Sequence, residues 1–497
     1  MSLSFGAARE PSGGGISGAP AVRRPRLERH NPAREGCEER MVHLSRPVPS
    51  SHPGPGLGTA TPPSPLRRVV VVCHQYPPWT LGGLAEYAQR FVQCLQQERG
   101  DVPLTLYTLN CPENLARRER NGSVTIRRPW LPRWLKRRIA APKNHLAPSG
   151  RALFALSLLA FNLATLPALV RARRPGTVVA VHDWQSAVAG ILAAGLLRLP
   201  VVYHVHNTEM TMADQPDVTD PFRLIETAQR LLARFASRIV VPTPELGRLA
   251  VAHGWRGDRI DVVPHGCETG ADPADPDAGD AEPVHERERA RTGLREEFGL
   301  PPDAPLLVFA GRLSSVKGVP TLLRALPAIA RRHPGVQLVM LGVGLAGTDQ
   351  DAAVDRLVTE LGIGDRTHVY HRYLPQEEVR RHYLAADVCV FPSRYEPFGL
   401  VSVEAMALAA PVVLGSGFSA LISDDERGGG QAALRMSGDT PDELAALVCQ
   451  LLDDPVAAAR LAARGRAHAR QNFRWPDTVT RTLGLYESLT RREPSRG

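Results

Sequence analysis

The chain has 497 residues, 43% of them apolar, more than one ordinary core holds and enough for two or three domains. Its formal charge of +9 attracts anions such as phosphates, nucleotides or acidic lipid without choosing among them, and no nucleic-acid-binding module accompanies it. The seven cysteines (Cys37, Cys73, Cys94, Cys111, Cys267, Cys389 and Cys449) are scattered and odd in number, with no CxxC pair and no zinc-type spacing; they argue against a disulfide scaffold and fit a reduced cytosol.

Residues 1–66 are rich in Pro, Gly, Ser and Arg and have no helical or strand period. Such a segment cannot bury enough apolar area to offset its ordering entropy, so a disordered tail is expected. It lacks the apolar run of about 7–15 residues that a secretory signal carries, which points to a cytoplasmic location. Order is expected to begin with the β-branched strand Arg67 to Val72, followed by a Pro-rich loop, the pair Gly82-Gly83 and a helical pattern from Leu84 to Leu95. The same alternation recurs at Val178 to Val181, Val201 to His204, Arg238 to Val241 and Asp261 to Val263. Alternating strands and helices predict a parallel, doubly wound α/β sheet.

Within that half, Ala152 to Val170 holds no charge over 19 residues. That approaches the length of ~20 residues that crosses a bilayer. Its Ser157, Asn162, Thr165 and Pro167 favour a buried crossover helix instead. From Glu268 to about Arg291 the chain is polar, carries Asp-Pro repeats and has no period, the pattern of an interdomain linker. A second series then places strands at Leu306 to Ala310, Val336 to Leu341, His368 to Tyr370, Val388 to Phe391 and Val412 to Leu414. The expected organisation is a tail (1–66), an N-terminal Rossmann-like domain (67–267), a linker (268–302), a C-terminal Rossmann-like domain (303–475) and a terminal helix (476–497) that crosses back to the first domain.

The most specific chemistry lies between Phe391 and Glu404. A buried strand ends at Phe391, Pro397 favours a turn or helix start, and helical spacing follows. Amides around Phe398, Gly399 and Leu400 then sit at a helix N-terminus, where an anionic diphosphate is favoured. Glu396 lies before that helix and Glu404 inside it, and carboxylates accept hydrogen bonds from sugar hydroxyls. The loop Gly311-Arg312-Leu313-Ser314-Ser315-Val316-Lys317-Gly318 follows a strand directly, at the sheet edge where such folds bind ligands. Arg312 and Lys317 there neutralise a diphosphate and stabilise it as a leaving group.

Taken in order, the glycine loop, His182-Asp183-Trp184, Gly311-Arg312 with Lys317-Gly318, and Glu396 with Glu404 eight residues later resemble the retaining glycosyltransferase family 4, of GT-B fold, related to glycogen and starch synthases. The resemblance covers roughly Val69 to Glu487 and implies two Rossmann-like domains facing across a cleft. It implies that Arg312 and Lys317 contact the donor diphosphate, Glu404 the ribose and Glu396 the donor sugar, with Gly82 and Gly83 facing the phosphates from the opposite domain. It also makes His182 the active-site histidine beside the donor sugar, sets Asp183, His206, Asn207 and Thr208 on the acceptor side, and sets Gly311, Gly342 and Gly344 around the nucleotide. Tyr373 is expected to border the base or simply to pack.

The implied reaction moves a hexose or N-acetylhexosamine from a UDP or GDP sugar to a small-molecule or lipid-linked hydroxyl. It proceeds with retention, by front-face attack in which the departing diphosphate takes the acceptor's proton. No protein nucleophile, metal or other cofactor is expected. A phosphorylase or epimerase of the same fold, and a catalytically silent sugar-nucleotide-binding protein, are the alternatives. Two departures qualify the resemblance: Thr80 stands where glucan synthases carry a lysine, and Gly415-Ser416-Gly417-Phe418-Ser419 replaces the family's Gly-Gly-x-Pro-Glu. Residues 127–143, with Trp130 and Trp134 among arginines and lysines and no acid between Glu119 and Asp183, suit either a solvated loop or peripheral contact with an anionic membrane.

Overall fold

The structure is a computed structural model, and it describes residues 66–78, 83–110, 115–134, 148–207, 220–268, 281–342, 344, 349–425 and 430–490. The tail expected over 1–66 lies outside the described residues except for Leu66, which is buried.

The first lobe comprises β1 (Arg68–Val72), α1 (Gly83–Glu98), β2 (Leu104–Tyr107), β3 (Arg118–Asn121), β4 (Val124–Arg127), α2 (Pro148–Arg171), β5 (Thr177–His182), α3 (Ala187–Ile191), β6 (Val201–His204), α4 (Asp220–Phe235), β7 (Arg238–Val241), α5 (Pro244–Ala252) and β8 (Ile260–Val262). Among the described residues its sheet has eight strands in the order β3-β4-β2-β1-β5-β6-β7-β8. All neighbours are parallel except β3 and β4, which form an antiparallel edge hairpin. The central strands, such as β1 and β5, are apolar on both faces because both are covered. Val70 and Val72 pack with Phe161 of α2, Ala189 of α3 and Leu232 of α4, while Val69 and Val71 pack with Tyr87 and Phe91 of α1.

The second lobe follows as α6 (Ala281–Glu297), β9 (Leu306–Ala310), α7 (Val319–Arg332), β10 (Gln337–Gly342), α8 (Gln350–Glu360), β11 (Thr367–His371), α9 (Gln376–Ala385), β12 (Val388–Phe391), α10 (Leu400–Ala407) and β13 (Val412–Leu414). It is completed by α11 (Ala420–Ser423), β14 (Asp424–Asp425), β15 (Gly430–Gln431), β16 (Leu434–Arg435), α12 (Pro441–Asp453) and α13 (Pro455–Asn472). Its main sheet has the order β11-β10-β9-β12-β13-β16 and is parallel throughout. The chain then recrosses: Cys267 N donates to Phe473 O at 2.8 Å, and α14 (Trp475–Thr490) lays Val479 and Tyr486 into the core of the first lobe beside Val69 and Val71.

The structure corrects three expectations. The stretch read as a featureless linker contains α6, which buries Ala290 and Leu294 in the second-lobe core and flanks them with arginines. Arg287 donates to the carbonyls of Ala386 and Ala409, and Arg291 and Arg295 both pair with Asp387, so no apolar period announces the helix. The uncharged run at 152–170 is a helix buried on one side only, with Leu156, Leu159, Leu163 and Val170 exposed. An antiparallel hairpin, β3 and β4, extends a sheet expected to be parallel. Among the described residues no helix is long and apolar enough to cross a membrane.

Candidate active site

In the second lobe, β9 runs into Gly311, which has φ 146°. A Cβ on Gly342, at the end of β10, would stand 1.8 Å from Gly311 O, so the backbones of these two strand ends touch where only glycine fits. The loop then exposes Arg312, which makes no ion pair among the described residues, and brings Lys317 to the loop that follows β12. Lys317 Nζ donates to Glu396 Oε2 at 2.6 Å, and Ser393 Oγ donates to the same oxygen at 3.1 Å. One ammonium N–H is engaged in this pair, which leaves the others for phosphate oxygens.

Gly399 caps α10 with φ 95°, and a Cβ there would lie 2.3 Å from Phe418 Cε1. The first helical donors, Ser402 N and Val403 N, both reach back to Gly399 O. The amides of Gly399, Leu400 and Val401 therefore have no carbonyl partner among the described residues, and they form the positive end of the helix. Phe398 is buried in packing, its ring 4.9 Å from His265 and 5.5 Å from Phe473. A turn further on, Glu404 is half-buried and bonded to Gln376. Burial, and then the charge of Glu86 from the opposite lobe, push its carboxyl up to about 8.

The lobes meet at this point. A Cβ on Gly83, the first residue of α1, would lie 3.6 Å from Leu400 Cδ1. Thr243 Oγ1 donates to Pro397 O at 3.0 Å, and Ser419 Oγ, in the Gly415 to Ser419 loop, donates to Glu245.

In the first lobe, the register of β5 against β6 pairs His182 with His204, and their rings stack at 4.5 Å. Both are fully buried, and burial lowers His182 to about 3. His182 is therefore a neutral imidazole at physiological pH. Its Nδ1 lies 2.9 Å from His206 Nε2, and His206 Nδ1 lies 3.2 Å from His265 Nε2, a chain of three rings ending against Phe398. His182 Nε2 and His265 Nδ1, at the two ends, are buried and unpartnered among the described residues. Asp183, held at φ 55°, accepts from His206 N at 2.7 Å and Asn207 N at 3.2 Å, fixing the loop after β6 to the loop after β5. Asn162 of α2 anchors the latter loop: Nδ2 donates to Gln185 O and Oδ1 accepts from Ala189 N, both at 2.8 Å.

Of the sequence-predicted residues, Gly311, Arg312 and Lys317 follow β9, Gly342 ends β10, Glu396, Phe398 and Gly399 lie between β12 and α10, Leu400 and Glu404 lie on α10, and Gly83 of α1 stands opposite Leu400. Gly344 N donates to Asp351 Oδ1 at 2.6 Å. Tyr373, beyond β11, is 64% exposed. Gly82 and Thr208 lie outside the described residues. Sequence reasoning missed His204, His265, Tyr87 and Glu86. His204 ends strand β6 and His265 lies in the loop just after β8, where the strand-end rule places ligand contacts in such sheets. Among the described residues no group of three or more His, Cys, Asp or Glu is placed to hold a metal.

The Glycosyl transferase 4-like domain family matches residues 82–266, and the Glycosyl transferases group 1 family matches residues 290–468. The chain is 33% identical to a D-inositol 3-phosphate glycosyltransferase of Xylanimonas cellulosilytica, over 64% of this chain and 73% of that protein. It is 30% identical to one of Acidothermus cellulolyticus over 89% and 95% of the two chains, and 28% identical to a glycogen synthase of Mycobacterium tuberculosis over 86% and 96%. Among solved structures, a sucrose-phosphate synthase from Thermosynechococcus elongatus superposes with a TM-score of 0.65 at 21% identity, over 85% of this chain and 99% of that one. Anabaena HepE in complex with UDP-glucose superposes with a TM-score of 0.60 at 18% identity, over 85% and 99%.

Proposed function

The chain belongs to the group 1 glycosyltransferases, with the GT-B fold, and from that premise we propose that its cleft transfers a hexose or N-acetylhexosamine from a UDP or GDP sugar to a small-molecule or lipid-linked hydroxyl, with retention. The observation that carries the donor site is the convergence of Lys317, Glu396 and the free amides of α10 on the gap bordered by Gly83. A diphosphate at that helix end meets oriented N–H groups, a helix dipole and the remaining N–H bonds of Lys317, with Arg312 as a second cation. Glu404 then takes the ribose hydroxyls and Glu396 the sugar, while neutral His182 offers a hydrogen bond rather than a charge to the reacting sugar.

In this proposal the leaving diphosphate accepts the acceptor's proton, so the chain supplies positioning and charge stabilisation without a covalent intermediate or a metal. Relatives named for an inositol phosphate and for glycogen make a polyol or sugar hydroxyl the favoured acceptor class. A cytoplasmic location and contact with an anionic membrane along 127–143 belong to the same proposal. Thermal-shift titration against UDP and GDP sugars, followed by product analysis, tests it. A ligand at 100 times its Kd stabilises the fold by about 2.7 kcal/mol, so a true donor raises the midpoint visibly. An unmoved midpoint across the whole panel, or turnover only when free phosphate is the acceptor, refutes it.

A further inference from the structure

Helix α2 is apolar on its outward face as well as on its inward one. Toward the sheet it buries Ser157, Asn162 and Thr165 among Leu158, Phe161 and Leu169. Asn162 explains part of that polarity, since it holds the loop after His182. The outward face carries Leu156, Leu159, Leu163, Ala164, Pro167 and Val170, all exposed and spaced by three and four residues into a single ridge. The large members of that ridge keep 41–52% of their surface, a cost that the fold itself does not explain. The neighbouring π-turn Leu192–Leu196 adds exposed Leu196, and Phe235 of α4 lies exposed against Gly195 of the same turn.

Beside the ridge lies a groove of about 530 Å³, lined by Pro167 and Ala168 of α2, by Trp130 and by arginines. Arg117, Arg118, Arg127 and Arg171 are exposed there and form no ion pair among the described residues, whereas Arg128 is buried against Glu119. Between Glu119 and Asp183 the sequence holds no acid at all. An apolar ridge edged by arginines, with Trp130 62% exposed between them, matches a bilayer boundary: hydrocarbon for the ridge, lipid phosphate for the arginines and the interface for the indole. A two-fold dimer through this face would set the arginines of one copy against those of the other.

We propose that the ridge of α2 and its arginine edge form a docking surface for an anionic lipid bilayer. It deepens the membrane contact proposed above for 127–143 and extends it to the outward face of α2, expected from the sequence to be buried, and to Arg117, Arg118 and Arg171. Donor binding does not depend on it.

The test is flotation of the full chain with vesicles of phosphatidylcholine alone and of phosphatidylcholine plus phosphatidylglycerol, at low and high salt. The expected result is binding to the anionic vesicles, weakened by salt. Leu156→Glu with Leu163→Glu, both at exposed positions, lowers partitioning at least about tenfold. Arg117→Glu with Arg118→Glu lowers it by about tenfold and flattens the salt dependence. In the unaltered protein, tryptophan emission shifts to the blue on adding anionic vesicles, and Trp130→Phe reduces that shift. Nucleotide-sugar thermal shifts are recorded on the same variants and stay unchanged, which separates this surface from the donor site. Failure to float with anionic vesicles overturns the proposal, as does equal flotation of the double leucine variant. So does a dimer seen by ultracentrifugation that this variant dissociates, since the ridge is then an interface between copies.

Discussion

Lys317 and Glu396 hold each other at 2.6 Å at the mouth of the positive helix end, so each tunes how the other meets the donor. Lys317→Ala removes the only ammonium at that point among the described residues and leaves Glu396 as an uncompensated carboxylate beside a bound diphosphate. The expected loss in kcat/KM is about 10²–10³, or about 2.7–4 kcal/mol, the scale of a deleted transition-state donor. It is measured with the donor that the thermal-shift panel identifies, and a loss below tenfold contradicts the assignment. His182 calls for a different measurement. Because burial holds it at about 3, its ionisation contributes no limb to the pH profile of kcat/KM between about pH 5 and 8. A limb in that range that disappears in His182→Asn shows that the imidazole titrates during turnover, against this expectation.

At the scale of elements, α2 is a brace for the His182 loop as well as a cover for the sheet. Asn162→Leu leaves Gln185 O and Ala189 N without their buried partner, each costing about 1–3 kcal/mol. The expected outcome is a lower Tm and a reduced kcat with little change in donor KM, because the loop that loses its anchor follows His182 and carries none of the proposed diphosphate contacts; a raised donor KM at unchanged kcat argues otherwise. Which elements were legible follows from what their buried faces are made of. Val69 to Val72 and Leu306 to Ala310 bury unbroken apolar runs and read as strands directly. Helix α6 buries Ala290 and Leu294 among Arg287, Arg291 and Arg295, whose spacing is helical but whose chemistry imitates a solvated linker. Strand β3 is exposed at all four residues, Arg118 to Asn121, and pairs only at an edge, so it leaves no burial pattern to detect. The candidate loops were legible because Lys317 and Glu396 lie in segments that directly follow strand ends, at Ala310 and Phe391, and Glu404 falls in the helical spacing beyond Pro397. Glu86 and His265 were not, because only the folding of one lobe against the other brings them to Glu404 and Phe398.

For the whole molecule, the gap between lobes is a balance of charges supplied from both sides. Glu404 of the second lobe faces Glu86 of α1, with Glu268 of the crossover nearby and engaged by Arg90. With its carboxyl raised to about 8, Glu404 is largely protonated at neutral pH and able to donate as well as accept. The unfolded chain ionises the same group near ~4.3, so the folded state binds the proton more tightly. The resulting stability is fully present below that lower value and is lost as pH rises through about 8, where Glu404 becomes an anion opposite Glu86. The expected consequence is a Tm that falls as pH is raised from about 6 to 9, by an amount on the order of a few kcal/mol in stability. Glu404→Gln cannot ionise and keeps the flatter profile of the remaining groups, and Glu86→Gln shrinks the total loss because one of the opposing charges is gone. Parallel slopes for the wild type and Glu404→Gln would place the proton elsewhere and remove Glu404 as the group that couples the two lobes to pH.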